Sequence, residues 1–182
     1  MPSIPADLLA ARVEEAVDHF VESERFECIR NRSNVYKKQW IVEPEGFGET
    51  RIAGLKAYCK VDFLLPDGDD IHILDWKTGK KDPEKHRKQL VGYSLYACDQ
   101  FGCSQDRIRP VVAYLKDRYE EEPLELHPGE VAAFETTVKN ETEEMYEFNT
   151  NIRANRPKEK EVFTKTTNSA LCNSCEFKEL CY

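Results

Sequence analysis

No stretch of this 182-residue chain approaches the roughly 18 consecutive apolar residues of a membrane span, and its opening residues, MPSIPADLLA, have no basic region leading into an apolar one. No membrane role is expected, and the protein is expected to be soluble, unexported and cytoplasmic. Basic side chains are in short supply, 26 Lys and Arg against 34 Asp and Glu, for a formal net charge of -8. That balance excludes a blanket coating of nucleic acid and leaves room for a local basic groove. Internal repeats and low-complexity linkers are missing too, so the length suits a single domain, residues 1–182. A chain this long buries roughly 70% of its unfolded surface and needs no disulfides to fold. With 40% hydrophobic and 33% charged residues it is not a disordered chain. Its seven cysteines are an odd number, which in a cytosolic chain points to metal or redox chemistry before disulfides.

Leu9, Val13, Ala16, Val17 and Phe20 recur at three- and four-residue steps and predict a helix over 6–26. Residues 35–42 read as a strand, and 43–50, with two glycines, as a turn. Residues 54–77 read as two strands around Pro66-Asp67-Gly68-Asp69-Asp70. Asp82-Pro83 supplies an N-cap and a first-turn proline for a helix that runs to Phe101 and stops at Gly102. VVAYL within 109–116 is a buried strand, 124–126 a short one, and 130–152 a second long helix. This order implies a mixed sheet with helices on it, an α/β (α+β) core.

If 56–65 and 71–77 pair around a two-residue turn at Gly68-Asp69, then Leu65 faces His72, Leu64 faces Ile73, Phe63 faces Leu74 and Asp62 faces Asp75. Phe63, Leu74, Val61 and Trp76 then share an apolar face, while Asp62, Asp75, Lys60 and Lys77 share the other. Two aspartates directly opposite repel. Either salt bridges on a solvated face absorb that penalty, or a divalent cation does, and an all-oxygen donor set selects Mg²⁺ or Mn²⁺ over zinc. Lys77, two residues beyond Asp75, is placed to orient water or to meet charge on a phosphate.

The next helix begins with Lys85, His86, Arg87 and Lys88, preceded by Lys80 and Lys81. Positive charge opposes the macrodipole there by about 0.3–1 kcal/mol per residue, whereas a bound phosphate would favour it. Gln89 and Tyr93, four apart, share a face of this helix. Near the end of the chain, Cys172, Cys175 and Cys181 form C-x2-C-x5-C in a polar tail, a spacing that suits a soft metal centre, either structural zinc or an iron–sulfur cluster.

Val61-Asp62-Phe63, Leu74-Asp75-Trp76-Lys77-Thr78-Gly79 and Gln89-Leu90-Val91-Gly92-Tyr93, in this order, resemble the motifs of the PD-(D/E)XK nucleases, and the last resembles the QxxxY helix of their RecB-type branch. The resemblance implies a restriction-endonuclease-like mixed sheet flanked by helices, with a lead-in over 1–53, a nuclease core over 54–150 and a tail over 151–182. It assigns Asp62, Asp75 and the Trp76 carbonyl to a Mg²⁺ or Mn²⁺ ion, makes Lys77 catalytic, and gives Gln89 and Tyr93 a role in contacting DNA or supporting the site. Lys80, Lys81, Lys85, Arg87 and Lys88 would then bind the DNA backbone. His19 is a candidate helix-borne metal ligand, although the family's glycine-led histidine motif is absent. The cysteine trio resembles that of the CRISPR-associated RecB-like exonucleases and their viral relatives. It would complete a [4Fe–4S] cluster with one N-terminal cysteine, for which Cys28 is the candidate, and so tie the tail to the N-terminal part. Cys59 is expected in the core and Cys98 and Cys103 are expected to be structural, either of the last two being the alternative to Cys28 as the fourth ligand. The implied activity is exonuclease action on single-stranded DNA or DNA ends, with CRISPR-adaptation or recombination proteins as possible partners. The rival readings are a catalytically weak DNA-end-binding adaptor and a zinc-stapled interaction domain.

Overall fold

The computed structural model describes residues 5–43 and 46–181 and divides into two compact units between Thr137 and Val138. The first holds helices α1 (Ala6–Val21) and α2 (Glu24–Tyr36), strands β1 (Ile41–Val42), β2 (Gly48–Ile52), β3 (Leu55–Cys59), β4 (Phe63–Asp67) and β5 (Asp70–Lys77), helix α3 (Pro83–Phe101), then β6 (Ile108–Tyr114) and β7 (Glu120–Pro123). Helix α4 (Pro128–Tyr146) spans the boundary, and β8 (Asn149–Asn151), β9 (Arg156–Pro157), α5 (Ser169–Ser174) and α6 (Lys178–Cys181) follow.

Five strands form a mixed sheet in the order β1-β4-β5-β6-β7, in which β5 and β6 run parallel and the other pairs antiparallel. The parallel pair is joined through α3, as parallel strands require a crossover. On one face, Val61, Leu64, Ile73 and Val112 pack with Leu90, Tyr93 and Ala97 of α3. On the other, Phe63, Leu65, Leu74 and Val111 pack with Ile29 of α2 and with Phe20 and Trp76. The α/β architecture with a flanked mixed sheet is therefore the one expected.

The β4–β5 hairpin keeps the expected register, with Phe63 opposite Leu74, Leu64 opposite Ile73 and Leu65 opposite His72. Gly68 sits at φ 60 while Asp69 keeps negative φ, the combination a type II′ turn requires. The Asp82 side chain accepts from Lys85 N, Pro83 opens α3, and Gly102, at φ 60, ends it.

Elsewhere tertiary packing overrides the local pattern. The helix expected over 6–26 breaks at Ser23, whose hydroxyl donates to the Phe20 carbonyl and accepts from Phe26 N, capping a second helix. Only Ala16 of the expected apolar stripe is buried, and Leu9, Val13 and Val17 stay exposed. The strand expected over 35–42 shrinks to Ile41–Val42, because α2, anchored by buried Ile29, continues to Tyr36. Part of the expected 43–50 turn is strand β2, which pairs with β3 and buries Thr50 and Ile52. The strand expected from 56 to 65 is interrupted between Cys59 and Phe63, which turns Val61 to the α3 side instead of the Phe63 side. The strand expected over 124–126 lies earlier, at Glu120–Pro123, where Arg25 and Lys81 neutralise its glutamates. The helix expected over 130–152 ends at Tyr146, ahead of β8 and β9.

In the second unit Phe148 stacks on Phe163, with centroids 5.3 Å apart. No side chain described there is buried. Among the described residues no helix is long and apolar enough to cross a membrane.

Candidate active site

Asp75 lies in the C-terminal half of β5 on the α3 side of the sheet, fully buried. Lys77, two residues on, brings Nζ to 2.6 Å from Asp75 Oδ2. The approach makes a buried ion pair, and the other carboxylate oxygen, Oδ1, is buried and has no partner. Burial pushes the Asp75 carboxyl above the usual carboxylate range; Lys77 and, more weakly, His86 pull it down, and the negative charge of Asp62 adds to the rise.

Asp62 does not join the ladder, which ends at Phe63 opposite Leu74. Its Oδ2 instead accepts from Trp76 N at 2.8 Å, so a side chain takes the place of the next ladder bond and holds the carboxylate beside β5. The Phe63 ring stacks on Trp76 at 5.8 Å, and the Phe20 ring meets Trp76 edge-on at 5.2 Å, fixing β5 from the opposite face. Gln89 and Tyr93 support the site from α3: Gln89 Nε2 donates to the Tyr93 hydroxyl, which donates to the Lys60 carbonyl, each at 2.6 Å. This chain pins the link that carries Asp62. Burial raises the Tyr93 hydroxyl pKa, Gln89 lowers it, and the charges of Asp75 and Asp62 raise it further.

Two buried residues of the site were not singled out as functional from the sequence. His86, counted among the cations, is buried and shares a 2.9 Å hydrogen bond with the Tyr114 hydroxyl. Lys81 Nζ lies 4.4 Å from the centre of the Tyr114 ring. The available signal was the helical stripe His86, Leu90, Tyr93, Ala97, all of which turn inward.

Of the expected phosphate-binding cations, Lys81 pairs with Glu120 at 2.7 Å and Glu122 at 3.3 Å, Lys88 pairs with Glu84 at 3.0 Å, and Arg87 forms a fork with Glu130. Among the described residues Lys80 and Lys85 make no ion pair and are exposed.

The structure does not bring His19 to the aspartates. Its Nδ1 meets the Leu115 carbonyl at 2.8 Å, on the helix whose next residue, Phe20, packs against Trp76, on the face away from Asp75. His19 and half-buried Cys28 line a cleft of about 650 Å³ with Arg25, Tyr119 and Glu121. Arg25 Nε and Nη2 reach the two Glu121 oxygens at 2.7 Å each. Cys172 and Cys175 lie on and just after α5 in the second unit, and the side chain of Cys181 is outside the described residues. Cys59 is buried in the α3-side core, and burial raises its thiol pKa. Burial and the nearby Cys103 push Cys98 up to about 11, consistent with a protonated thiol packed at the end of α3.

The Asp62–Asp75 pair fits a hard divalent cation by its chemistry: two carboxylates, one of them fully buried with an unpartnered oxygen. Among the described residues no group of three His, Cys, Asp or Glu side chains converges to hold a metal. The remaining ligands would have to be backbone carbonyl, water and substrate oxygens, a usual arrangement for Mg²⁺.

A family model described as the PD-(D/E)XK nuclease superfamily matches residues 3–182. No curated protein matches the chain. Among solved structures, one described as the crystal structure of SSO0001 is 15% identical, covers 97% of this chain and 70% of its own, and superposes with a TM-score of 0.43, too loose to bear on fold or function.

Proposed function

The chain belongs to the PD-(D/E)XK nuclease superfamily, and from that premise we propose that it hydrolyses phosphodiester bonds of DNA, at free or single-stranded ends, with Asp62, Asp75 and Lys77 as its reactive group. The observation that carries this reading is Asp75: a fully buried carboxylate with one oxygen unpartnered and the other 2.6 Å from an ammonium, coupled to a second carboxylate. Burying an ionised carboxylate costs stability, and groups held in this way cluster at functional sites.

Each residue has a part in the reaction. Asp62, oriented by Trp76 N, and Asp75 would hold a Mg²⁺ or Mn²⁺ ion together with the Trp76 carbonyl. When bound, that ion lowers the pKa of water and polarises the phosphoryl oxygen. Lys77, drawn to Asp75, stands ready to align the attacking water or to offset charge on the phosphate. Gln89 and Tyr93 keep the Asp62 link in place. Lys80 and Lys85 supply backbone contacts.

The RecB-type reading extends to the tail, with Cys172, Cys175 and Cys181 holding a [4Fe–4S] cluster completed by Cys28. The second unit supports a metal staple, because no side chain described in it is buried and a segment that small cannot stabilise itself by a core. Brown purified protein with iron and acid-labile sulfide supports the cluster; a colourless, zinc-loaded protein would replace it with the zinc reading.

The enzyme reading is tested by cleavage of linear and circular single-stranded DNA with Mn²⁺, comparing wild type, Asp75→Asn and Lys77→Ala. Loss of cleavage in both variants is expected, and loss of the linear preference would remove the exonuclease assignment. Equal activity in all three would end the nuclease reading. The lack of a third metal-ligating side chain among the described residues favours a second reading, a DNA-end-binding adaptor, if wild type binds ends without cutting them.

A further inference from the structure

We infer that Phe47 and Tyr58 form a stacking platform for unpaired bases, which delivers single-stranded DNA to the Asp62–Asp75–Lys77 site; the inference rests on the nuclease reading above. The two rings are 67% and 60% exposed and touch each other edge-on with centroids 6.3 Å apart. The other rings around the site, Phe20, Trp40, Phe63, Trp76, Tyr93 and Tyr114, are buried or half-buried. A single exposed ring needs no explanation; two that meet while facing water form a small apolar patch, and this pair lies a short span of chain from Asp62.

Their position links them to the site. Gly48 pairs with Cys59 at the open end of the β2–β3 hairpin, and Phe47 and Tyr58 immediately precede these two residues. Tyr58 lies four residues before Asp62, a span of at most about 14 Å. The intervening link is held by the Tyr93 hydroxyl at the Lys60 carbonyl. The hairpin itself is seated firmly on α3. Gly48 lies so close under Tyr96 that an added Cβ would come to 2.5 Å from the ring, and Thr50 donates to Asp99 at 3.0 Å. The platform is thus pre-positioned with respect to Asp62, so little ordering is needed on binding.

The cations nearest the platform are paired with carboxylates. Lys56, 5.0 Å from the centre of the Tyr58 ring, pairs with Glu49, and Lys60 pairs with Glu43. Lys81, Arg87 and Lys88 are likewise paired, and the chain carries a net charge of -8. Aromatic faces need no net charge to hold nucleic acid: stacking operates on any base and is available only where the base is unpaired. A duplex keeps its base faces hidden, so the platform selects single strands.

The test is binding of the full chain, with no Mg²⁺ or Mn²⁺ added so that the DNA stays intact, to a fluorescent oligo-dT and to an abasic oligonucleotide of the same length, which keeps the phosphates and lacks the bases. Phe47→Ala and Tyr58→Ala should each weaken oligo-dT binding about 5- to 150-fold, the range for loss of one stacked base. Both variants should leave abasic binding unchanged, and Tyr58→Phe should restore oligo-dT affinity. Both rings are exposed, so circular dichroism melts should match wild type. Equal affinity of wild type for the two oligonucleotides overturns the platform, as does wild-type affinity for oligo-dT in both alanine variants. If Lys77-dependent cleavage persists alongside either result, the platform alone fails. A wild type that neither cuts nor binds DNA removes the nuclease reading and the platform together.

Discussion

Asp75→Asn separates the stability of this protein from its proposed chemistry. Asparagine keeps the shape of the side chain and removes the charge. In the wild type, burial raises the folded pKa of Asp75 above its unfolded value. The folded state therefore takes up the proton more readily. At neutral pH the ionised group costs stability, and that cost fades as pH falls through the raised pKa. What the variant removes is the desolvation cost of the charge; the buried amide keeps an unpartnered oxygen and puts N–H donors in place of the other, so the hydrogen-bond balance changes little. Against this, the variant deprives Lys77 of its counter-charge. The Lys77 side chain is 20% exposed and can turn toward water, so it is left less stranded than Asp75 would be by loss of the lysine. The net expectation near pH 8 is a gain on the order of 1 kcal/mol, since replacing a buried charge by a neutral group is neutral to stabilising, or roughly 2–4 °C in Tm for a chain of this size. Melts followed by circular dichroism at about pH 8 and about pH 5 should show the gain shrinking on acidification. Mg²⁺ should raise the wild-type Tm, by the equivalent of about 2.7 kcal/mol at a hundred times its Kd, and leave Asp75→Asn unmoved. A variant less stable than wild type near neutrality, a gain independent of pH, or equal Mg²⁺ shifts in the two proteins would refute the argument that Asp75 is a strained, cation-seeking carboxylate.

Lys77→Ala leaves Asp75 buried without a counter-charge; chemical denaturation should show about 3–5 kcal/mol of destabilisation near neutral pH, shrinking as Asp75 takes up a proton in acid. Tyr93→Phe removes the donor to the Lys60 carbonyl and the acceptor for Gln89, and should cost about 1–2 kcal/mol by urea midpoint while slowing cleavage through a looser Asp62. Gly48→Ala drives a methyl into the Tyr96 ring and should cost about 1–3 kcal/mol, recovered in part by Tyr96→Leu.

The parts of the site that could be read from the chain are those with short-range signals. The β4–β5 register follows from a two-residue glycine turn, and α3 from an Asp-Pro start and a glycine stop. Those two elements alone put Asp75, Lys77, Gln89 and Tyr93 near one another. What escaped depends on distant partners. Strand β2 reads as a turn because the ring that makes Gly48 necessary, Tyr96, lies on α3. The sequence pattern places Asp62 in the ladder, but its own carboxylate ends that ladder by taking the Trp76 N–H. His86 reads as a helix-start cation and is buried against Tyr114.

The charges around α3 show the same limit, and its consequence is measurable. Five cations before and within the first turns of α3 suggested a phosphate track, yet Glu120 and Glu122 on β7 and Glu130 on α4 neutralise Lys81 and Arg87, and Glu84 neutralises Lys88. Composition could warn of this, since acids outnumber bases 34 to 26, but it could not say which lysines remain available. Lys80 and Lys85 do, among the described residues. On a single strand each phosphate neutralised contributes about -0.7 to the slope of log affinity against log salt, so two free cations give about -1.4 and five would give about -3.5. A titration of oligo-dT binding against NaCl distinguishes these values. A slope near the smaller value means that the glutamate pairs stay closed and base stacking supplies most of the affinity. A slope near the larger means that phosphate displaces the glutamates, in which case Glu130→Gln and Glu120→Gln should strengthen binding by freeing Arg87 and Lys81.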